Sequence, residues 1–394
     1  MSKDMKKGIV PKLRFPEFRE AGAWSKKTFN QLFQIGSGKD YKHLSKGNIP
    51  VYGSGGYMFS VNDYLYEGES VCIGRKGTID KPMFLSGKFW TVDTLFYTHS
   101  FKDCSPKFIY WVFQNIDWLK HNEAGGIPSL SKTIIDKIEV FIPKPEEQQK
   151  IAATLTSLDD LITAQTQKIK ALQAYKKGLM QEVFPAEGET VPRRRFREFE
   201  GEWKKIKLGD VAKKIGDGLH GTPIYSDNSD IFFINGNNLN NGKIEINENT
   251  KRVDKNEFKK NNKDLNTNTI LISINGTIGN IARYYDEKVM LGKSVGYFIF
   301  KENCNFYYHI LQTNSVQNFF LHELTGSTIK NLSLKTLRET EILLPSVLEQ
   351  QKIAALLTSL DELITTQTQK LEALKTHKKG LMQQLFPNPN DVES

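Results

Sequence analysis

The amino-acid sequence predicts an α+β protein in which two globular blocks alternate with two long helices that form a coiled coil. The main observation is an internal repeat: the segment from Glu147 to Pro185 returns from Glu349 to Pro387 at a constant offset of 202 residues. About three-quarters of the positions in the two copies are identical. The segments before the copies are rich in short β-type runs separated by Gly, Asn and Asp, which is typical of strands and turns. We therefore predict an internal duplication with pseudo-twofold symmetry.

Each copy of the repeat has the heptad pattern of a coiled-coil helix, held for about five heptads. A helix of that length needs a partner, because packing supplies most helix stability. The nearest partner is the other copy, although two core helices of a bundle would give a similar pattern. Polar residues interrupt the pattern at matching places, and one polar seam residue can fix the register of two helices. The predicted helix–helix seam contains Ile151, Leu155, Leu158, Ile162, Gln165, Ile169, Leu172, Leu179, Ile353, Leu357, Leu360, Ile364, Gln367, Leu371, Leu374 and Leu381.

The two globular blocks are predicted to be mixed α/β. We expect a first block at 1–145, a long helix at 146–185, a second block at 186–345, a second long helix at 346–387 and a tail at 388–394. Ser346 and Glu349 form a capping-box pattern at the start of the second long helix. The predicted strands include 70–73, 89–97, 231–234, 269–274 and 295–300, with one shorter helix per block at 106–121 and 305–323.

The basic charge of the chain lies in the blocks. The net charge is +9, and residues 1–145 carry 21 Lys and Arg against 14 acidic residues, whereas residues 186–347 carry 23 against 20. Residues 146–185 carry five of each. A surface that binds phosphates would place the positive excess in this way, although a modest excess is common in proteins.

Several classes of protein lack support in the sequence. No run of about 18 apolar residues predicts a membrane span, and the charged first ten residues do not resemble a signal peptide. The three cysteines have no paired spacing, which fits a reducing cytoplasmic setting and no metal site. No Gly-rich loop has the form of a cofactor fingerprint, and no carboxylate spacing marks an acid–base pair. We therefore predict no cofactor in this chain and no catalytic activity of its own.

Four motifs together resemble a known family. They are PEEQQKIA at the start of the first long helix, KKGLMQ followed by two residues and FP at the end of both helices, LRFPEF before Trp24, and GRKGTI after a predicted strand. Related residues, RRFREF before Trp203, open the second block. The chain thus resembles the specificity subunit of type I restriction–modification systems over nearly its whole length and in both repeats.

The resemblance implies a function for each part. Each block would be a target-recognition domain that reads one half of a split site in double-stranded DNA. The helices would form an antiparallel coiled coil that sets the distance between the halves and docks two modification subunits. Those subunits would bind S-adenosylmethionine and methylate adenine, and restriction subunits, which carry motor and nuclease activity, would join them. The subunit resembled here holds no catalytic residues.

DNA contacts have to be predicted from the residues themselves, because the shared motifs lie in the framework. Base edges specify a sequence and phosphates position the protein, while Arg can read guanine and Asn can read adenine. In the first block the candidates are Lys39, Tyr41, Lys42, His43, Ser54, Tyr57, Arg75, Lys76 and Lys81. In the second block they are His220, Thr222, Asn235, Asn237, Asn238, Asn275, Lys293 and Lys330. For any single residue, an ordinary turn or a solvated surface is an equal alternative.

Two other functions stay open at the level of sequence. A self-contained nuclease or methyltransferase would transfer or cut without another subunit, but the chain has no motif for either reaction. A coiled-coil scaffold whose blocks bind only protein would not show the steep salt dependence that phosphate contacts impose on binding.

Overall fold

The computed structural model describes residues 9–324 and 330–387, so the tail predicted at 388–394 lies outside the described residues. The chain forms two compact units. The first contains residues 1–167 and 369–394, and the second contains residues 168–368. Each unit therefore combines one block with the beginning of the long helix that follows it and the end of the other long helix. The sequence, in contrast, suggested that each helix is a segment of its own.

The first block is built on two four-stranded sheets. One has the order β2-β9-β6-β7 and is antiparallel, and the other has the order β4-β3-β8-β5 with β3 and β8 parallel. Strands β1 and β10 pair beside them, at the junction with the long helix α4. The elements are β1 Ser25–Thr28, α1 Phe29–Leu32, β2 Gln34–Ser37, β3 Lys46–Gly53, β4 Gly56–Val61, β5 Tyr66–Glu67, β6 Ser70–Gly74, β7 Met83–Leu85, β8 Lys88–Thr91, β9 Leu95–His99, α2 Pro106–Gln114, α3 Lys132–Lys137, β10 Glu139–Ile142 and α4 Pro145–Val183.

The second block repeats the four-stranded antiparallel sheet and the parallel strand pair of the first block. Its main sheet has the order β12-β19-β16-β17, β13 and β18 are parallel, and β11 pairs with β20 before the long helix α10. The blocks differ after β3 and β13, where the second block inserts the β14–β15 hairpin and α6. The elements are β11 Lys204–Lys207, α5 Leu208–Val211, β12 Ala212–Asp217, β13 Phe232–Ile234, β14 Leu239–Asn240, β15 Lys243–Ile244, α6 Lys255–Asn261, β16 Thr269–Ser273, β17 Ile281–Arg283, β18 Val289–Leu291, β19 Val295–Phe300, α7 Cys304–Ile310, α8 Asn314–His322, α9 Leu334–Glu339, β20 Glu341–Leu344 and α10 Val347–Leu385.

Three predicted elements of the blocks are interrupted. The strand predicted at 89–97 is wrong, because Leu95 N–H bonds to Val92 O in a turn that separates β8 from β9. The helix predicted at 106–121 ends at Gln114, and a 3-10 turn follows at Trp118–His121. The helix predicted at 305–323 is divided into α7 and α8 at Thr313, whose backbone is extended and whose hydroxyl donates to Ile310 O at 2.7 Å.

The two long helices hold their blocks through the same positions. In the first unit, Ile151, Ala152 and Leu155 of α4 belong to the core of the block, together with Leu385 and Phe386 at the end of α10. In the second unit the equivalent core residues are Ile353, Ala354, Leu357, Val183 and Phe184. The phenylalanine at the end of each long helix packs edge to face on a tryptophan of the block. The ring centroids of Phe386 and Trp24 are 6.4 Å apart in the first unit, and those of Phe184 and Trp203 are 6.1 Å apart in the second. We call each of these sets of helix residues a mount; the two mounts are nearly identical, but they carry two different blocks.

A buried ion pair anchors the beginning of each block to the start of the long helix that follows it. Arg14 donates to both carboxylate oxygens of Glu147 at 2.8 and 2.6 Å, and Arg195 does the same to Glu349 at 2.8 Å twice. Both carboxylates are 1% exposed. The capping box predicted at Ser346 is therefore only half formed. Ser346 Oγ accepts from Glu349 N–H at 3.4 Å, but the Glu349 side chain is held by the arginine instead.

Within each unit the helices pair antiparallel, since the start of one lies beside the end of the other. Asp159 accepts from Lys378 at 2.5 Å in the first unit, and Asp361 accepts from Lys176 at 2.5 Å in the second. The partners are related by the 202-residue repeat, so both units use one register. Of the sixteen predicted seam residues, nine are buried and the other seven are half-buried.

The second unit places a histidine against the paired helices where the first unit has Trp111. His309 is 0% exposed; its Nε2 lies 3.2 Å from Thr358 Oγ1, and its Nδ1 lies 4.0 Å from Asp361 Oδ2. In the first unit, Trp111 Nε1 donates to Thr156, the repeat equivalent of Thr358, at 3.4 Å. Burial, with the nearby charges of Lys176 and Arg283, holds the pKa of His309 well below its usual range.

We expect the second unit to lose stability as the pH falls below about 6.5, the ordinary pKa of histidine. Above that pH the side chain is neutral in both states and contributes nothing. Below it, the unfolded chain takes up a proton that folded His309 excludes, so the free energy of unfolding falls by up to about 1.4 kcal/mol per pH unit.

Urea unfolding at about pH 7.5 and about pH 5.5 measures this effect. The wild-type chain should lose more stability between the two conditions than His309→Phe, which cannot titrate. His322→Phe, which removes an exposed histidine of α8, should behave like wild type. Equal pH dependence of the wild-type chain and His309→Phe would contradict the prediction.

Candidate nucleic-acid interface

The loops of the first block meet where β2, β3, β6 and β8 end. Strands β3 and β8 are parallel, and β2 and β6 both run antiparallel to β9, so the ends of each pair point the same way. Backbone hydrogen bonds join the loops: Lys39 N–H to Thr91 O at 2.9 Å, Arg75 N–H to Thr94 O at 2.8 Å, and Gly77 N–H to Pro128 O at 2.9 Å. We call this surface the first edge; it consists of residues 38–45, 53–57, 75–78, 91–94 and 127–132.

The structure brings most of the predicted DNA-binding residues of the first block to this edge. Tyr41 packs on Phe59 with ring centroids 4.8 Å apart, and His43 packs on Trp90 at 5.7 Å. Trp90 Nε1 also donates to Lys39 O at 3.0 Å, so the loop is fixed over the sheet. The first-edge candidates are Lys39, Tyr41, Lys42, His43, Ser54, Tyr57, Arg75 and Lys76. Lys81 is exposed but stands apart, since it leads into Pro82, which accepts from Gln114 at the end of α2.

Two turns of the first edge bring glycine backbone to the surface. Gly56 closes the β3–β4 hairpin with φ of +111°, and Gly77 follows β6 with φ of +91°. A β-carbon on Gly77 would lie 3.3 Å from Ser54 Oγ, so the two turns are neighbours. Tyr57, beside the hairpin turn, is 62% exposed. The arrangement leaves backbone and an aromatic ring accessible to a ligand that approaches this edge.

A basic cleft with a volume of about 910 Å³ opens beside these turns. Its cations are Arg75, Lys76 and Lys132, and its carboxylates are Asp93 and Glu123. Arg75 and Lys132 lie over the same Phe96 ring, 6.0 and 5.9 Å from its centroid. Sequence reasoning missed Lys132, because it follows the helix-capping Ser131 and no motif distinguishes it from other surface lysines.

The second block forms the equivalent surface, the second edge, from residues 218–222, 235–238, 274–277, 292–294 and 330–331. Leu219 N–H bonds to Leu291 O at 2.7 Å, and Ile274 N–H bonds to Ser294 O at 2.9 Å. Asn275 pairs with Asn331 across a β-bridge, just as Lys76 pairs with Ser129 in the first block. All the predicted residues of the second block lie on this edge: His220, Thr222, Asn235, Asn237, Asn238, Asn275, Lys293 and Lys330.

Some of these side chains already have partners inside the protein. Asn235 Oδ1 accepts from Ser294 Oγ at 3.0 Å, and Asn238 Oδ1 accepts from Asn235 N–H at 2.9 Å. Asn238 Nδ2 donates to Glu245 O at 2.9 Å, and His220 Nε2 lies 2.6 Å from Asp217 Oδ2. These contacts shape the loop, whereas Asn237, Lys293 and Lys330 are exposed.

The cysteines and the possible metal ligands of the described residues are placed as follows. Burial raises the pKa of Cys72, Cys104 and Cys304 to about 12, so none of them is a ready thiolate nucleophile. Over residues 9–324 and 330–387, no group of three or more His, Cys, Asp or Glu side chains is placed to hold a metal ion. None of the helices described is both long and apolar enough to cross a membrane.

Comparisons with known proteins agree with this architecture. The family model of the type I restriction modification DNA specificity domain matches residues 22–174 and again residues 200–376. The type I restriction enzyme MjaVIII specificity subunit of Methanocaldococcus jannaschii is 26% identical over 340 residues, which is 82% of this chain and 77% of that protein.

Solved structures share the fold. The crystal structure of the S subunit of the type I restriction–modification system from M. genitalium superimposes with a TM-score of 0.67 at 16% identity, covering 96% of this chain and 100% of the other. A chain from a structure of complex assembly in the type I restriction–modification system gives 0.53 at 13% identity, covering 93% and 98%. With a family domain matched in each half, the chain belongs to the type I restriction modification DNA specificity family.

Proposed function

We propose that this chain is the sequence-specific DNA-recognition subunit of a type I restriction–modification complex. Each block reads one half of a bipartite site in double-stranded DNA, the first through the first edge and the second through the second edge. The long helices set the spacing between the two half-sites. The chain catalyses nothing itself, because its partner subunits perform the chemistry.

The observation that carries this proposal is that two nearly identical mounts carry two different edges. The helix positions that hold the blocks are nearly identical in the two repeats, whereas the edges share few residues. The second block has Asn275 at the position equivalent to Lys76, and Ile274 at the position equivalent to Arg75. A duplicated scaffold with divergent reading loops suits recognition of two unlike sequences by one geometry.

The outer surfaces of the helices fit two equal partners. Twelve of the eighteen residues exposed between Glu147 and Pro185 are identical in the second copy, for example Leu161 and Leu363, or Lys168 and Lys370. Two like surfaces offer two like docking sites, which suits two copies of a modification subunit. In this proposal those methyltransferase subunits bind S-adenosylmethionine and methylate adenine, and restriction subunits with motor and nuclease activity join the same complex.

The test is to co-express the chain with its modification subunits in a host without other DNA methylation and to map the methylated sequences. The proposal predicts one bipartite motif with a fixed spacer. It also predicts that DNA binding weakens steeply as salt rises, because phosphate contacts release counterions. No methylated motif, or binding that salt leaves unchanged, would overturn it.

A control experiment separates recognition from catalysis. The purified chain alone, incubated with DNA and labelled S-adenosylmethionine, should transfer no methyl group, and addition of the modification subunits should restore transfer. Methyl transfer by the chain alone would instead identify it as a self-contained methyltransferase.

A further inference from the structure

The turn after β6 presents one arginine on a fixed backbone. Arg75 N–H bonds to Thr94 O at 2.8 Å, and Arg75 O accepts from Leu130 N–H at 2.9 Å. The next residue, Lys76, is bridged to Ser129, so the turn is held from two sides. A side chain on such a support has a defined starting point, which recognition of a base edge requires to within a fraction of an ångström.

The Arg75 side chain is free to meet a ligand. It is exposed and lies over Phe96, and it has no hydrogen bond or ion pair with the residues that the structure describes. The first block has two other arginines, Arg14 and Arg19. Arg14 is bound to Glu147, and Arg19 follows the 3-10 turn Pro16–Phe18, which is not part of the first edge. Arg75 is thus the one guanidinium of this edge.

The other cations of the first edge are lysines, and the two residue types do different work on DNA. Lysine is a point charge that suits a phosphate, whereas the planar fork of arginine fits O6 and N7 of guanine with two hydrogen bonds. Lys76 and Lys132 line the same cleft as Arg75, and Lys39 and Lys42 belong to the same edge, so these lysines can supply the positive charge that holds the DNA backbone. This division leaves Arg75 for the base.

The second block has no counterpart of Arg75. Ile274 occupies the equivalent position, because its N–H bonds to Ser294 O at 2.9 Å and its O accepts from Leu332 N–H at 2.9 Å. These are the same two backbone contacts that fix Arg75. Ile274 is 3% exposed and its side chain belongs to the core. The two edges therefore differ in chemistry at one matched point.

We propose that Arg75 reads a guanine in the half-site of the first block, and that the second block makes no such contact from the matched position. This inference rests on the proposed function, since it names a base contact within the DNA interface. In this inference Arg75 determines specificity, whereas the lysines of the first edge determine affinity.

The experiment maps the methylated motif and its discrimination for the complete complex with wild-type chain, Arg75→Ala, Arg75→Lys and Lys42→Ala. With both Arg75 variants, the preference of the complex for guanine over other bases should fall at least about tenfold at one position of one half-site. The other half-site should not change. Lysine cannot replace arginine here, because it lacks the fork. Lys42→Ala should leave the methylated motif unchanged. It should reduce the slope of the logarithm of the DNA-binding constant against the logarithm of salt concentration by about one, the value for one lost phosphate contact.

Each other outcome has a distinct meaning. If Arg75→Ala only weakens binding at every sequence while Arg75→Lys behaves like wild type, Arg75 holds a phosphate and the inference is wrong. It is also wrong if the relaxed position is not a guanine. If the wild-type complex methylates no bipartite motif, the proposed function fails before Arg75 is tested. Assembly and thermal melting of each variant, which an exposed side chain should leave unchanged, exclude a folding defect.

Discussion

Replacement of Leu155 by aspartate should unfold the first unit. Leu155 lies on α4, is 0% exposed and packs in the core that contains Trp24 and Trp111. Leucine truncation at such a site costs about 2–5 kcal/mol, and an unpaired carboxylate adds the cost of burying a charge. The sum is a large part of the stability of an ordinary domain, which is about 5–15 kcal/mol.

Tryptophan fluorescence during urea unfolding measures this effect unit by unit. Four of the five tryptophans belong to the first unit, and only Trp203 belongs to the second. Leu155→Asp should therefore shift most of the emission to that of the unfolded chain in the absence of urea. Leu357→Asp, the repeat equivalent in the second unit, should leave most of it unchanged.

The matched control is Leu161→Asp, on the same helix. Leu161 is 55% exposed, so its replacement should change the free energy of unfolding by no more than about 0.5 kcal/mol. Similar effects of Leu155→Asp and Leu161→Asp would mean that the face of α4 assigned to the core is wrong.

Loss of Arg14 should have the second-largest effect. Arg14→Ala leaves the Glu147 carboxylate, 1% exposed, with Trp24 Nε1 at 3.2 Å as its remaining side-chain donor. Removing one partner of a buried ion pair costs about 3–5 kcal/mol, because the other charge stays buried. The pair also ties the beginning of the first block to α4, so the loss should appear in unfolding of the first unit.

The control is the exposed ion pair between Lys150 and Glu17, which lies close by along the chain. Its side chains are 50% and 46% exposed, so Lys150→Ala should cost less than about 1 kcal/mol. The double variant Arg14→Met with Glu147→Met should be more stable than Arg14→Ala, since it leaves no unpaired charge. A cost of Arg14→Ala no greater than that of Lys150→Ala would contradict the anchoring role.

The sequence predicted the parts of the fold that depend on repetition. The repeat located both long helices, and the family model confirms the resemblance that the motifs at the helix ends suggested. The pairs of Lys176 with Asp361 and of Lys378 with Asp159 could not be predicted, because they depend on the register of two helices far apart in sequence. In the heptad pattern Lys176 and Lys378 are recognisable only as polar residues at positions that are otherwise apolar.

Other features depend on local contacts that a residue pattern does not contain. The turn after Val92 and the break at Thr313 each depend on a hydrogen bond to a neighbouring carbonyl, so runs with good strand or helix propensity are divided. At the second edge, Asn235 and Asn238 have the composition of base readers, but their amides are occupied within the loop. Residue type alone does not distinguish an amide that shapes a loop from one that faces a ligand.

The central claim is that each block alone selects one half of the DNA site. The most direct test replaces residues 25–142 with residues 204–344, so that both mounts carry the second block. The nearly identical core residues of the two mounts should accept this exchange. The methylated motif of the resulting complex should then have two identical halves, each the wild-type half-site of the second block. A motif that keeps two different halves would contradict the claim.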